Sequence, residues 1–242
     1  MRPITWIMPF YRNAPMLAVH IENWSLYPAG VLAGLTIILV DDGSPEADRP
    51  DELLRAAPKA VRDRVRLLRV LVDIPWNQHG ARNLGAKVAA NEWLLVTDID
   101  RILLAHDMRA LMSVKLKTSR YYKPWGVRMH VKLPKADPEK GPYNQFLVHR
   151  SAYWKAGGYD EDYCGCYGGD RQFLEALGKV AKRTRLDSAR MYRYNRYVVP
   201  GANTEGLDRS TKELARRKAQ KIALGDVVAR NPIRFKWREI KL

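Results

Sequence analysis

The stretch Trp93–Arg101, reading Trp-Leu-Leu-Val-Thr-Asp-Ile-Asp-Arg, constrains the fold more than any other. An apolar run from Trp93 to Val96 stops at two aspartates, Asp98 and Asp100, with one residue between them. A short continuous apolar run bounded by polar residues suits a strand buried on both faces of a sheet. Open α/β sheets of such strands bind their ligands in a crevice at the carboxyl ends. Two carboxylates at that position make a hard oxygen site suited to Mg2+ or Mn2+ bridging phosphates. On this stretch alone the plainer reading, a strand followed by an acidic turn, outweighs the metal.

The preceding residues repeat the pattern. Ile4–Pro9 is an apolar run leading into Phe10-Tyr11-Arg12. Asn13 is placed to cap a helix, with Pro15 in its first turn. Leu35–Val40 is rich in β-branched residues and ends at Asp41-Asp42-Gly43-Ser44. Asp51–Ala57 reads as a helix, Val65–Val72 as a strand, Gly80–Ala90 as a helix, and Trp93–Thr97 as the fourth strand. Strands alternating with helices predict a mostly parallel, Rossmann-like α/β sheet flanked by helices.

The second half is mixed. Lys132–Pro142 reads as an exposed loop between strand-like Gly126–Val131 and Phe146–His149. A Tyr/Gly-rich loop follows Gly157-Gly158-Tyr159-Asp160-Glu161 and runs into Gly168-Gly169-Asp170-Arg171 and a helix over about Asp170–Leu177. A further helix, about Ser210–Ala223, precedes a basic tail. At 242 residues, 46% hydrophobic and with seven Trp, the chain can bury one large core, and no linker separates two domains. The expected division is one domain with a nucleotide-binding half over 1–101, an acceptor half over 102–205 and a helical basic tail over 206–242.

The net charge of +16 favours a polyanionic or phosphorylated partner without choosing among nucleic acid, anionic membrane and nucleotide. The basic tail (Arg216, Arg217, Lys218, Lys221, Arg230, Arg234, Lys236, Arg238, Lys241) reads first as a solvated face, with peripheral membrane contact as the lesser reading. Cys164 and Cys166 have no second Cys/His pair nearby, which leaves structural zinc and a disulfide framework unsupported and a reducing compartment as the default. There is no signal-peptide pattern, and Ala29–Val40 is too short to span a bilayer. A cytoplasmic protein, at most peripheral at a membrane, is expected.

Five motifs then align in order: Ile7-Met-Pro-Phe-Tyr-Arg, Ile38-Leu-Val-Asp-Asp-Gly-Ser, Gly80-Ala-Arg-Asn-Leu-Gly-Ala, Val96-Thr-Asp-Ile-Asp, and Gly157-Gly-Tyr-Asp-Glu with Tyr167-Gly-Gly-Asp-Arg. With them the chain resembles the family-two glycosyltransferases of GT-A fold, and more loosely their galactosyltransferase-like relatives in the last motif. The resemblance covers about residues 4–178. It implies an inverting, metal-dependent transfer of sugar from a nucleotide-diphosphate sugar, UDP the expected nucleotide, to a glycan, lipid-linked or other acceptor hydroxyl. It assigns Pro9, Phe10, Tyr11, Asp42, Arg82, Asp98 and Asp100 to the nucleotide sugar. Asp42 takes the base N–H and Arg82 the diphosphate, where a helix N-terminus also suits an anion. Asp98 and Asp100 hold Mn2+ or Mg2+. Tyr167, Gly168, Gly169 and Arg171 contact the acceptor, and Asp170 is the base that deprotonates it. Ordinary alternatives stay open: Phe10 as core, Arg82 paired with a local carboxylate, and Asp170 as a helix cap. No histidine follows His149 to complete a metal shell. A non-catalytic relative, or a basic nucleic-acid-binding protein, remains the alternative, although the ordered acidic and glycine motifs have no role in the latter and nucleic acid is not expected as a partner.

Overall fold

Strand β1 (Ile4–Phe10) lies at the centre of the sheet because it is apolar on both sides: Ile4, Trp6, Met8 and Phe10 enter one core and Ile7 the other. The computed structural model describes residues 1–128, 137–139, 144–193 and 208–242, with backbone alone at 128 and 137–139. Asn13 caps α1 (Ala14–Ser25), its side-chain oxygen accepting from the Met16 N–H at 3.2 Å, with Pro15 in the first turn. Then come α2 (Ala29–Ala33), β2 (Leu35–Asp41), α3 (Asp51–Ala56), α4 (Lys59–Arg62), β3 (Val65–Val70), α5 (Gln78–Val88) and β4 (Trp93–Val96). The predicted order of strands and helices holds here, with ends moved by one or two residues.

The sheet has ten strands in the order β10-β3-β2-β1-β4-β8-β6-β9-β5, with β7 beside β6. From β3 to β4 neighbours are parallel, so the carboxyl ends of four strands share one edge. Chain direction from β1 runs outward both ways, to β2 and to β4, which creates the crevice where ligands of such sheets sit. Alternation along each strand feeds two cores. Leu39 and Leu95 join the face of α1, while Val40, Leu94 and Val96 join the face of α5. Helix α5 lies very close to β1 at Gly85, where an added Cβ would stand 2.4 Å from Ile7 Cγ2.

Beyond β4 the chain forms β5 (Arg101–Ile102), α6 (Ala105–Ser113), β6 (Arg120–Arg128), β7 (Asp137–Glu139), β8 (Phe146–His149), α7 (Arg150–Lys155), α8 (Gly169–Val180), β9 (Lys182–Arg193), α9 (Lys212–Ala223) and β10 (Trp237–Ile240). Strand β8 runs antiparallel to β4 and to β6, so the second half of the sheet is mixed. The stretch read as an exposed loop, Lys132–Pro142, contains β7, paired with β6; its remainder, and the end of the strand predicted over Gly126–Val131, lie outside the described residues.

The basic tail is also anchored to the fold at several points. Strand β10 pairs antiparallel with β3, and Phe235 is buried in the core beneath α5. Lys221 is buried between two carboxylates, its Nζ 2.6 Å from Asp160 and 2.9 Å from Asp162. Arg217 donates to the carbonyls of Asp162 and Cys164, and Arg234 pairs with Asp162. Lys221 and Arg234 therefore neutralise part of the acidic loop 160–162, while Arg216, Lys218, Arg230, Lys236, Arg238 and Lys241 are exposed, as a solvated face requires. Removing one partner of a buried ion pair strands the other charges, so Lys221→Met is expected to cost about 3 kcal/mol. A lower urea midpoint at unchanged slope would register this; an unchanged midpoint would refute the clamp.

Candidate active site

The N-terminus of α8 and the end of β4 meet at one side chain. Arg82, fully buried on α5, donates through Nη2 to Asp98 Oδ1 at 2.5 Å and through Nη1 to Asp170 Oδ1. Its guanidinium carbon lies 5.0 Å above the Tyr159 ring, a cation–π contact. Tyr159 in turn stacks on Phe173 and His79, with centroids 4.3 Å and 5.1 Å apart. In this structure Arg82 bridges the two halves of the crevice, which matches the alternative of an arginine paired with carboxylates of the chain. Asn144 donates to the other oxygen of Asp98. Burial raises the Asp98 carboxyl above its usual range, against the pull of Arg82.

Asp170 sits in the first turn of α8, where a carboxylate also meets the positive end of the helix. Gly168 precedes it with φ +97°, a conformation glycine adopts without strain. At Gly169 an added Cβ would lie 2.2 Å from the His79 ring, so α8 is seated directly on α5. Among the described residues Asp170 Oδ2 accepts no hydrogen bond, which leaves a free carboxylate edge at the crevice.

At the neighbouring strand end, Asp41 and Asp42 have different work. Asp41 accepts from the Ser44 N–H at 3.0 Å and from Arg69 Nε at 2.8 Å, which fixes the turn. Asp42 is buried and accepts from Asn77 Nδ2 at 2.9 Å. Desolvation pushes its carboxyl up to about 7, with the Asn77 hydrogen bond pulling the other way. A carboxyl raised in the folded state contributes stability that is present below its unfolded value near 4 and lost as pH rises through about 7. Asp42→Asn removes that loss. Its stability relative to the wild type should improve by about 2 kcal/mol between pH 5 and pH 8. Urea midpoints at the two pH values test this; a pH-independent difference would contradict it. Two non-glycine residues with positive φ, Arg12 (+50°) and Trp76 (+52°), lie in the loops beside Asp42, a concentration of strain typical of functional loops.

The remaining predicted residues divide. Pro9 is half-buried at the end of β1, and Tyr11 reaches Asp73 with its hydroxyl at 3.1 Å. Phe10 is fully buried in the α1-side core, so its ring is core and only its backbone borders the crevice. Tyr167 is exposed. Arg171 points away along α8 into an exposed pair with Glu175 at 2.9 Å.

The sequence profile described as "Glycosyl transferase family 2" matches residues 5–123, which carry β1 to β4, the Asp41-Asp42 turn, Arg82 and the Asp98–Asp100 turn. Residues 5–123 belong to glycosyl transferase family 2. The fold extends the likeness beyond them. "GalNAc-T7 with UDP, GalNAc and Mn2+" superposes with a TM-score of 0.67 at 15% identity over 90% of this chain and 48% of that one. S. aureus TarS gives 0.60 at 13% identity over 80% and 37%, and its 1–349 fragment in complex with UDP gives 0.61 at 12% over 80% and 60%. The chain thus spans about half the length of the first of these structures and adopts the GT-A fold they share. Among curated protein sequences, none matches significantly.

A family-two domain carries the expectation of a divalent metal. As arranged, the available donors do not fit one. Asp98 is held by Arg82 and Asn144. Asp100 is buried between Arg193, whose Nε donates to Oδ2 at 3.1 Å, and Arg101, 3.3 Å from Oδ1. Among the described residues no group of three or more His, Cys, Asp or Glu side chains is placed to hold an ion. Guanidinium groups occupy positions around both carboxylates.

Supports of the family-two turn escaped the sequence reading. The His20 Nε2–H donates to the Ile99 carbonyl at 2.8 Å, a bond only that tautomer can make, and burial lowers its pKa to about 4. Trp6 Nε1 donates to Thr97 Oγ1 at 2.7 Å. Lys123 on β6 is buried near Asp170; burial first, and then Arg183, pushes its ammonium down to about 8. His20 shares the buried stripe of α1 with Met16, Leu17 and Trp24, and that was the available clue.

Proposed function

We propose that the chain is an inverting glycosyltransferase that moves a sugar from a UDP-sugar to an acceptor hydroxyl, with residues 1–101 binding the donor and 102–205 the acceptor. The observation that carries this is the Arg82 bridge, which fixes a carboxylate of the donor strand end, Asp98, relative to a carboxylate at the acceptor helix, Asp170. Pairing with Arg82 orients Asp170 while Oδ2 faces the crevice. Oδ2 takes the proton of the acceptor O–H as its oxygen attacks the anomeric carbon. The bond from that carbon to the diphosphate oxygen breaks, the electron pair leaves with UDP, and the configuration inverts in one displacement. One base suffices, and one well-placed base is present. The UDP held in relatives of the same fold supports the choice of nucleotide, and buried Asp42 beside the positive-φ loops offers the acceptor for a base N–H. Pro9 and Tyr11 border the same pocket, and Tyr167, Gly168 and Gly169 line the acceptor side.

The test is a panel of UDP-, GDP-, ADP- and dTDP-sugars offered to purified protein with Mn2+, with Mg2+ and with EDTA, reading binding and release of free nucleotide. UDP-sugar binding with slow UDP release is expected. Loss in EDTA would restore a metal to the mechanism and require the guanidinium groups at Asp98 or Asp100 to move. Silence across the panel would overturn the assignment.

A further inference from the structure

Helix α9 and the turn after it carry a surface that the crevice does not use. The helix docks through Leu214, Arg217 and Lys221 onto the loop holding Tyr163 and Cys166. An adjoining stripe, Ala215, Lys218, Ala219 and Ile222, is exposed. At its C-terminal end Ile222 is 58%, Leu224 82%, Val227 73% and Val228 71% exposed. Between them Gly225 makes a turn with φ +67°, and an added Cβ there would meet nothing within 4 Å. Single exposed aliphatic residues are ordinary, but four of them within seven positions form a patch.

The charges around this patch are of one effective sign. Glu213 is neutralised by Arg216 and Arg217, and Asp226 by Arg230 at 2.6 Å. Lys212 and Lys218 are exposed and make no ion pair among the described residues. An aliphatic tip with Lys218 beside it, on a helix that carries a further exposed lysine at its start, matches a lipid surface: the apolar side chains enter the acyl boundary and the ammonium groups meet anionic headgroups. The tip holds no aromatic ring on which a nucleic-acid base could stack. Among the described residues no helix is long and apolar enough to cross a membrane, so contact of this kind is peripheral.

We propose that the C-terminal end of α9, centred on Ile222, Leu224, Val227 and Val228, docks the protein on anionic lipid bilayers. Because α9 is clamped to the 160–164 loop, the acceptor side of the crevice lies on the docked element. The surface itself stands independently of the glycosyl-transfer reading.

Vesicle flotation tests it, with phosphatidylcholine vesicles and vesicles containing one third phosphatidylglycerol, at low and high salt. Wild type should float with the anionic vesicles alone, more weakly at high salt. Leu224→Asp with Val228→Asp, and separately Lys212→Glu with Lys218→Glu, should each weaken binding at least tenfold while leaving thermal unfolding unchanged, since all four side chains are exposed. Equal binding to both vesicle types, or none, would overturn the proposal, as would full binding by the Leu224/Val228 variant. Tighter binding to a single-stranded oligonucleotide than to vesicles at matched salt would replace lipid with nucleic acid. A dimer in sedimentation velocity that Leu224→Asp with Val228→Asp dissociates would replace it with a second copy of the chain.

Discussion

Asp170→Asn is expected to lower kcat by about 10²–10⁴-fold, the contribution of a positioned general base, while leaving the affinity for the sugar nucleotide within a few-fold. The amide keeps the size of the side chain and can still face Arg82, but it cannot take a proton. A purely structural Asp170, serving only the Arg82 pair and the positive end of α8, would behave differently: the variant would lose stability in urea unfolding, and kcat would fall only as far as the folded fraction does. Single-turnover rates beside donor titrations separate the two cases. If Asp170→Asn turns over within tenfold of the wild type, the base lies elsewhere.

Replacing Arg82 should have the largest effect on stability. Arg82→Met leaves two carboxylates facing one another in a buried site, and breaking a buried ion pair from one side costs about 3–5 kcal/mol. Neutralising the partners as well, with Arg82→Met, Asp98→Asn and Asp170→Asn together, should return most of that stability without returning turnover. The contrast matters because the sequence-based expectation makes a different forecast. An arginine reserved for the diphosphate would, when replaced, weaken donor binding and leave unfolding nearly unchanged. Urea unfolding of the single and triple variants, alongside UDP titration, decides between bridge and diphosphate ligand; a single variant within about 1 kcal/mol of wild type would remove the bridge.

How much of this was legible in the chain depended on whether the signal was local. Strands β1 to β4 were readable because each is an apolar run broken by Asp, Pro or Gly, and the Asp41, Asp42 and Asp98 turns fell at their ends. Strand β9 was not readable: of Lys182–Arg193 only Leu186, Ala189 and Met191 are buried, without alternation, and its pairing with β6 makes it a strand. The polar segment Trp237–Ile240 is likewise a strand only because β3 lies beside it. The role of Arg82 was hidden for the same reason, since its deciding partner Asp170 is 88 residues away. Local electrostatics at a helix start suggested an anion, and it is a pair of carboxylates from the protein itself that takes the place. Of the partners of Asp100, Arg101 is its neighbour in the chain, but Arg193 arrives from β9.

The pairing of β10 with β3 sets a condition on how the protein is made. As the chain leaves the ribosome, β1 to β4 can assemble early, yet the outer edge of β3 then presents unpaired backbone groups along an apolar strand, a template for pairing with another nascent copy. Trp237–Ile240 emerges long afterwards, and Phe235 must reach the α5 core at the same time. Synthesis therefore passes through an interval in which the N-terminal half is formed but sticky. Mutations that weaken β10 would first appear as poor yield and aggregation during expression, before any change in the properties of the folded chain.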